Sequence, residues 1–245
     1  MTTTRLVLAP NPGPMTLEGT NTWLLNADGG RTVVVDPGPD DESHLARVRA
    51  EAGDVALVLL SHGHPDHSAG AKTLAASLNV PVRAVDPAHR LGSEGLGDGE
   101  WVEVDGLRVS VLATPGHSSD HVCFVLPEDG AVLTGDHVLG RGTTVVAHPD
   151  GRMGDYLASL RRLADVGATT LLPGHGPVVE NPAEVIAYYL AHRADREAQV
   201  RAAVEAGART PREVVERVYV DVDRSLWGAA EQSVRAVLDL IAERG

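Results

Sequence analysis

This 245-residue chain has a single cysteine and no long apolar run. Cys123 is the only cysteine, so an internal disulfide is excluded, and with it the class of small disulfide-framed secreted proteins. The longest aliphatic run, residues 55–60, is far shorter than the roughly 20 residues that span a bilayer. The first residues, Met1–Arg5, have no apolar segment of the signal-peptide kind. We therefore expect a cytoplasmic protein that does not bind membranes.

Basic residues are also scarce. The chain has 21 lysines and arginines against 34 acidic residues, a net charge of −13. This balance disfavours an extended nucleic-acid-binding surface, because such surfaces are usually basic. Hydrophobic residues make up 43% and charged residues 22%, which is typical of a globular protein. The length fits one large domain, or one domain with a small addition.

Short β-branched runs bounded by turn residues predict ten strands in the first 172 residues. Two of them, Thr32–Val35 and Val55–Leu60, are apolar at nearly every position, as expected of strands buried on both faces. Helices are predicted between some of the strands, which together indicates an α/β layered domain. The other strands are predicted at Arg5–Leu8, Thr22–Asn26, Val82–Val85, Trp101–Val104, Leu107–Ala113, His121–Leu126, Ala131–Thr134 and Thr170–Leu172, and the helices at Asp41–Ala52, Ser68–Leu78 and Gly154–Asp165.

The pattern changes after residue 180. Asn181-Pro182 and Thr210-Pro211 each combine a capping residue, a proline and a following glutamate, which is a helix-start signal. A third helix is predicted over about 225–243. Tyr188, Tyr189 and Trp227 lie at positions expected to pack between helices. We therefore expect residues 1–180 to form the layered domain and residues 181–245 a small helical module.

The most informative motif follows the aliphatic run 55–60. Within six positions lie three histidines and one aspartate, His62, His64, His67 and Asp66. Imidazole nitrogens and carboxylate oxygens are ligands that Zn²⁺ takes in proteins. In a chain with 11 histidines such clustering is rare by chance, so the loop is predicted to bind metal.

Three further candidates follow other predicted strands. His117, Asp136 and His175 each lie beside a glycine just after a strand. A glycine there allows a sharp turn that presents the neighbouring side chain at the end of the strand. Polar groups at such positions are usually structural, but three of them together with the histidine-rich loop favour a shared metal site.

These motifs, in this order, resemble the metallo-β-lactamase superfamily over about residues 5–180. The resemblance implies an αββα sandwich with the site at one edge of its two sheets, so that residues 1–180 would be the catalytic domain. It assigns His62, His64 and His117 to a first metal, and Asp66, His67 and His175 to a second. Asp136 would bridge both metals. Asp36 matches an aspartate that orders the loops beneath the site.

Within the superfamily the chain is most similar to the β-lactamase-like protein 2 group. The similarity lies in the segments 11–17, 19–22 and 138–144 and in the C-terminal module, which resembles a winged-helix domain without its wing. That group includes an endoribonuclease that acts on single-stranded RNA. Gly63 stands where relatives often carry an aromatic residue, and its lack of a side chain is expected either to widen the pocket mouth or to remove a stacking surface.

The expected activity is that of a binuclear metal hydrolase that uses a metal-bridging hydroxide. Two Zn²⁺ ions are expected, although iron or manganese also suits such ligands. A zinc-bound water ionises near pH 7, which supplies a nucleophile at neutral pH. Asp66 is expected to orient it, and the resemblance suggests that His121 stabilises charge or protonates the leaving group.

The substrate stays open at this point, with single-stranded RNA and small esters or thioesters as the candidates. The ester alternative covers hydrolases of the hydroxyacylglutathione hydrolase or lactonase kind. A different alternative is a non-catalytic regulator that binds nucleic acid or protein and has structural metals only. A homodimer is also compatible with the sequence. If the C-terminal module docks a polymer, deletion after Gly207 is expected to spare small esters.

Overall fold

The structure is a computed structural model, and it describes residues 2–244. The chain divides into two compact units. The first, here called the sheet unit, runs up to Ala113 and includes Asp120–Gly142 and Ala168–Glu180. The second, here called the helical unit, comprises Thr114–Ser119, Thr143–Gly167 and the chain from Asn181 onward. The expected domain boundary after residue 180 stays a prediction.

The sheet unit contains two five-stranded sheets, and each predicted strand is present. The first sheet contains, in spatial order, β1 (Thr2–Leu8), β2 (Asn21–Ala27), β3 (Thr32–Val35), β4 (Val55–Leu59) and β5 (Val82–Arg83). The second contains, in spatial order, β10 (Thr170–Pro173), β9 (Ala131–Gly135), β8 (Val122–Leu126), β7 (Leu107–Ala113) and β6 (Trp101–Val104). In the first sheet β1–β3 are antiparallel, whereas β3–β5 are parallel. In the second sheet β6–β9 are antiparallel and β10 is parallel to β9.

Both faces of the central strands β3 and β4 are buried, as their apolar runs predict. Val33 and Val35 join a core that includes side chains from both sheets, such as Phe124. Val34 joins a second core with residues of helices α1 (Glu42–Ala52) and α3 (Ala71–Leu78). This alternation follows from the period of two along a strand. Cys123 is completely buried in β8, as expected of a small core residue.

The helix predicted at Ser68–Leu78 is divided in two. A short helix α2 (Pro65–Ser68) ends before Gly70, and α3 starts after it. A Cβ on Gly70 would lie 2.8 Å from the carbonyl oxygen of Pro39, so the two backbones are in close contact there. The break gives the segment that carries Asp66 and His67 an orientation of its own.

The helical unit contains α4 (Met153–Asp165), α5 (Pro182–Glu205), α6 (Pro211–Val218) and α7 (Trp227–Arg244). Because α4 packs against α5 and α7, it groups with the C-terminal helices, although it precedes β10 in the chain. The start signal at Thr210 is confirmed, since its hydroxyl accepts the backbone N–H of Glu213. Trp227 is buried, but Tyr188 is 55% exposed, so the expectation that it packs between helices is wrong.

Candidate metal centre

The histidine and aspartate loops of the sheet unit follow the carboxyl ends of parallel strands. Asp36 follows β3, and the loop 61–67 follows β4. In the second sheet Asp136 follows β9 and His175 comes after β10. Since β3 is parallel to β4 and β9 to β10, each pair of strands delivers its polar loops to one edge of its sheet.

Asp66, His67, Asp136 and His175 converge in one cluster, with one ligand atom from each within 4.8 Å of the others. The Nε2 atoms of His67 and His175 lie 3.2 Å apart. Asp136 Oδ1 is 3.3 Å from each of these nitrogens. Asp66 Oδ2 is 3.1 Å from His175 Nε2 and 3.6 Å from His67 Nε2. The predicted second-metal residues are therefore brought together with Asp136.

This spacing fits a metal ion. Four ligands held at about 2.0–2.1 Å in a tetrahedron lie about 3.3–3.4 Å from one another. The five separations given above run from 3.1 to 3.6 Å. The donor set, two imidazoles and two carboxylates, also suits a divalent cation such as zinc, iron or manganese.

The charges within the cluster also favour a bound cation. Burial by itself would lower the pKa of His67, but the carboxylates of Asp136 and Asp36 outweigh it and raise that pKa well above its usual value. At His175 burial would likewise lower the pKa, but the carboxylates of Asp136 and Asp66 outweigh it and raise that pKa. Burial would raise the pKa of Asp66, yet the hydrogen bond from His175 and the charge of His67 lower it. The cluster thus stabilises positive charge.

Asp36 orients the ligand loop from below. It is 2% exposed and has a positive φ of 51°. One carboxylate oxygen accepts from the Ser61 backbone N–H at 2.7 Å, and the other accepts from the Ser61 hydroxyl at 2.6 Å. The second oxygen also lies 3.0 Å from His67 Nδ1. With its proton on Nδ1, His67 directs Nε2 into the cluster, so Asp36 orders this loop as expected.

His62 and His64 form a separate pair beside the cluster. His62 Nε2 and His64 Nδ1 are 3.1 Å apart, close to the edge of a metal tetrahedron. His62 Nδ1 contacts the Ser61 hydroxyl at 3.0 Å. That hydroxyl gives its proton to Asp36, so it accepts from His62, which leaves His62 Nε2 as the ligand atom. The His62 and His67 ring centroids are only 4.4 Å apart, so the pair adjoins the cluster.

Two glycines make this close packing feasible. A Cβ at Gly174 would lie 2.6 Å from His67 Cε1 and 2.9 Å from Asp136 Oδ1. A Cβ at Gly135 would lie 2.7 Å from the Ser61 hydroxyl oxygen, and the φ of Gly135 is +46°. A side chain at Gly174 would displace the ligands themselves, and one at Gly135 would displace Ser61 beneath them, which explains glycine next to Asp136 and His175.

His117 lies in the helical unit and is 4% exposed. Its Nδ1 is 2.6 Å from the carbonyl oxygen of Val145, so this nitrogen carries the proton and donates it. Nε2 is then the atom available to a metal. That His117 binds a metal together with His62 and His64 stays a prediction.

His121 is 1% exposed, and its Nε2 accepts the backbone N–H of Asp136 at 3.1 Å. Its ring lies beside His62, with centroids 5.1 Å apart. The expected role in charge stabilisation or proton transfer stays a prediction. The observed contact is one that positions the Asp136 backbone.

Two residues near the site were not anticipated. A Cβ on Gly63 would lie 2.5 Å from His89 Nε2 and 3.1 Å from Asp120 Oδ2. A side chain at Gly63 would therefore meet His89, and the expected width of the pocket mouth stays a prediction. His89 lies in a short 3-10 turn, Pro87–His89, whose sequence contains no ligand motif that could have revealed this contact.

Comparisons with known proteins agree with this geometry. The family model of the metallo-β-lactamase superfamily matches residues 15–175. The chain belongs to the metallo-β-lactamase superfamily. A second model, the β-lactamase-associated winged helix domain, matches residues 210–245. The expected αββα fold with a C-terminal winged-helix module is thereby confirmed.

Individual relatives support the same conclusion. The chain is 32% identical to a β-lactamase-like protein 2 homolog from Caenorhabditis elegans, covering 98% of this chain and 84% of the relative. It is 34% identical to an atrochrysone carboxyl ACP thioesterase from Aspergillus fumigatus, covering 87% of this chain and 72% of the relative. The crystal structure of a metallo-β-lactamase family protein from Thermus thermophilus has a TM-score of 0.84 at 26% identity, covering 99% of this chain and 94% of that one.

The comparisons confirm the resemblance to the β-lactamase-like protein 2 group and place the chain in a family of hydrolases. The His/Asp cluster can bind a metal ion. None of the helices in residues 2–244 is both long and apolar enough to span a membrane.

Proposed function

We propose that this protein is a binuclear metal-dependent hydrolase that cleaves acyl thioesters or esters. The observation that carries the proposal is the cluster of Asp66, His67, Asp136 and His175, with its spacing of 3.1–3.6 Å. A closed structural zinc site needs only four ligands. The adjacent pair His62 and His64 provides further ligands, which favours a catalytic pair of metals over a structural ion.

In this proposal His62, His64 and His117 hold one metal, while Asp66, His67 and His175 hold the other. Asp136 contributes to both. Zinc is the preferred occupant on ligand chemistry, and iron or manganese is compatible with the same donors. Two such cations, when bound, would activate water and polarise the oxygen of the scissile bond.

Two of the chain's own residues have separate roles in this reaction. The Asp66 side chain is 30% exposed, whereas those of His67 and His175 are fully buried, so the cluster opens to solvent on the side of Asp66. We assign Asp66 to orienting the attacking water by accepting its hydrogen bond. His121 would hold the Asp136 backbone through its Nε2, which makes it a positioning residue.

The arginines favour an acyl substrate over a phosphodiester. Three arginines that follow Asp136 in the chain and could contact a phosphate have partners within the chain. Arg141 pairs with Glu18 at 2.5 Å, Arg152 pairs with Glu243, and Arg161 donates to the Leu157 carbonyl of its own helix. A thioester needs no such cations, and the fungal relative named above is a thioesterase.

A substrate panel tests the proposal. The metal-loaded protein is assayed on acyl-pantetheine thioesters, p-nitrophenyl esters, a phosphodiester and a single-stranded RNA. We expect turnover of thioesters or esters that is abolished in His64→Ala, with two metals per chain in the wild type. Turnover restricted to RNA would contradict the acyl assignment. No turnover of any substrate, combined with normal partner binding by His64→Ala, would favour a regulator with structural metals.

Single-stranded RNA is the second candidate. The winged-helix match covers residues 210–245, and two arginines of that region, Arg212 and Arg224, lie 4.8 and 5.3 Å from the ring centroid of Trp227. Exposed arginines such as these suit contacts to a nucleic-acid backbone. If RNA is the substrate, Arg212→Gln with Arg224→Gln should reduce RNA cleavage and leave ester turnover unchanged.

A further inference from the structure

The segment 144–147 contacts both His117 and the helices of the same unit. The carbonyl of Val145 accepts the His117 Nδ1–H at 2.6 Å. The backbone N–H of Ala147 donates to the His117 carbonyl at 3.0 Å. Val145 and Ala147 therefore hold the ring and the backbone of His117, and the Thr144 hydroxyl adds a contact of 3.3 Å to Nδ1.

The other two residues of this segment bond to the C-terminal helices. Arg193 of α5 donates from Nη2 to the Thr144 carbonyl at 2.5 Å. Ser233 of α7 accepts the backbone N–H of Val146 through its hydroxyl oxygen at 3.1 Å. Arg193 and Ser233 are each 5% exposed, so water does not readily replace them.

Residues 143–152 belong to no helix or strand, so their backbone polar groups need partners outside regular structure. Gly151 extends the same contact, because a Cβ there would lie 2.4 Å from the His117 carbonyl oxygen. The rotation of the His117 ring thus depends on where α5 and α7 hold residues 144 and 146.

We propose that Arg193 and Ser233 are positioning residues for His117. Through residues 144 and 146 they fix the carbonyl of Val145, which holds the proton on His117 Nδ1 and presents Nε2 as the ligand atom. The inference rests on the proposed function in one respect, that His117 is a metal ligand. It gives the C-terminal module a role in building the site, besides any role in substrate docking.

Nuclear magnetic resonance of the metal-free, full-length protein, labelled with ¹⁵N at histidine, reads this contact directly. A His117→Gln spectrum identifies the signal among the 11 histidines. In the wild type we expect the Nδ1–H tautomer with slow exchange of that proton. In Ser233→Ala and in Arg193→Met we expect exchange to be about tenfold faster, because the segment opens more often.

Two matched controls keep the result specific. Arg196 lies on the same helix as Arg193, donates to the Val218 carbonyl at 3.0 Å, and lies over the Tyr219 ring. Ser77 likewise bonds its hydroxyl to the backbone, but as the donor to the Leu74 carbonyl of its own helix. Arg196→Met and Ser77→Ala should leave the His117 signal unchanged, and backbone amide spectra of all variants should show an intact fold.

A metal titration of the same proteins gives the second readout. Loss of such outer support typically weakens metal binding by about 10–100-fold. We expect about tenfold weaker binding at one of two metals in Ser233→Ala and Arg193→Met. Wild-type exchange of the His117 proton in both variants would overturn the proposal, as would equal changes in Arg196→Met.

The proposed function fails in a different way. If the wild type binds no metal and hydrolyses nothing, the hydrolase proposal is lost, yet the exchange measurement on metal-free protein still decides the role of Arg193 and Ser233. On the positioning proposal, deletion after Gly207 removes Ser233 and should impair small esters as well as polymers. Intact ester turnover after that deletion would count against it.

Discussion

The sheet unit and the helical unit orient their imidazoles by different means. In the sheet unit the carboxylate of Asp36, itself bound by Ser61, accepts from His67 directly after a buried strand. In the helical unit a neutral backbone carbonyl accepts from His117, on a segment that helices hold in place. Hydrogen bonds to a charged group are roughly twice as strong as neutral ones. The sheet unit is therefore expected to be preorganised, and the helical unit to depend on distant support.

Asp36→Ala should have the largest effect, because it removes the charged partner. The Ser61 N–H, the Ser61 hydroxyl and His67 Nδ1 would all lose their acceptor in a buried place. We expect the free energy of unfolding of the metal-free protein to fall by about 3 kcal/mol. Urea denaturation measures it.

The matched control is Asp105→Ala, which removes an exposed aspartate bonded to Arg31. It should lower the free energy of unfolding by no more than about 1 kcal/mol, since exposed ion pairs contribute little and the positive φ of Asp105, 45°, resembles that of Asp36. If Asp36→Ala were as stable as Asp105→Ala, the difference between the two units would lose its basis.

Gly174→Ala should have the next largest effect, and on metal binding rather than on the fold. Its Cβ would lie 2.6 Å from His67 Cε1, so the ring or the backbone must move. We expect metal affinity at the four-residue cluster to fall by at least about tenfold. Isothermal titration calorimetry measures it.

Gly228→Ala is the control for that substitution, because a Cβ there meets no atom within 4 Å. It should bind metal as the wild type does. Equal affinity of Gly174→Ala and wild type would show that the cluster tolerates looser packing than its distances indicate.

Substitution of His192 in the helical unit should have a smaller effect on stability, and only at acidic pH. Burial, together with Arg193 and Arg196, lowers the pKa of His192 to about 4 from 6.5. Between these values the unfolded chain binds a proton that the folded chain does not, so stability falls as the pH falls from about 6.5 to 4. We expect His192→Asn to lose less thermal stability than the wild type between pH 7.5 and pH 5.

Differential scanning calorimetry at both pH values makes this comparison. Parallel curves for His192→Asn and wild type would mean that this part of the helical unit does not account for the acid sensitivity.

Local patterns were sufficient to predict most of the fold. The strands Thr32–Val35, Trp101–Val104 and Leu107–Ala113 have the predicted bounds, because β-branched runs between turn residues leave few alternatives. The helix predicted at 68–78 was wrong at Gly70, where contact with the Pro39 backbone interrupts it. That contact depends on a residue 31 positions away along the chain, which local periodicity does not register.

In the candidate site, too, some contacts could be predicted from the sequence and others could not. The convergence of Asp66, His67, Asp136 and His175 was predictable, since each follows a strand end in a recognisable motif. The contact of His89 with Gly63 was not, and neither was the pairing of Arg141 with Glu18. These partners are far apart in sequence and carry no motif of their own.

The sequence by itself determined which side chains are available as metal ligands and at which strand ends they lie, because spacing and strand alternation are local properties. Only the tertiary structure decided which ring nitrogen each histidine presents, since Asp36, Gly19 and Val145 accept from His67, His175 and His117 across turns and between segments. It also grouped α4 with the C-terminal helices. Such contacts follow from packing of distant segments, and a linear pattern does not contain that information.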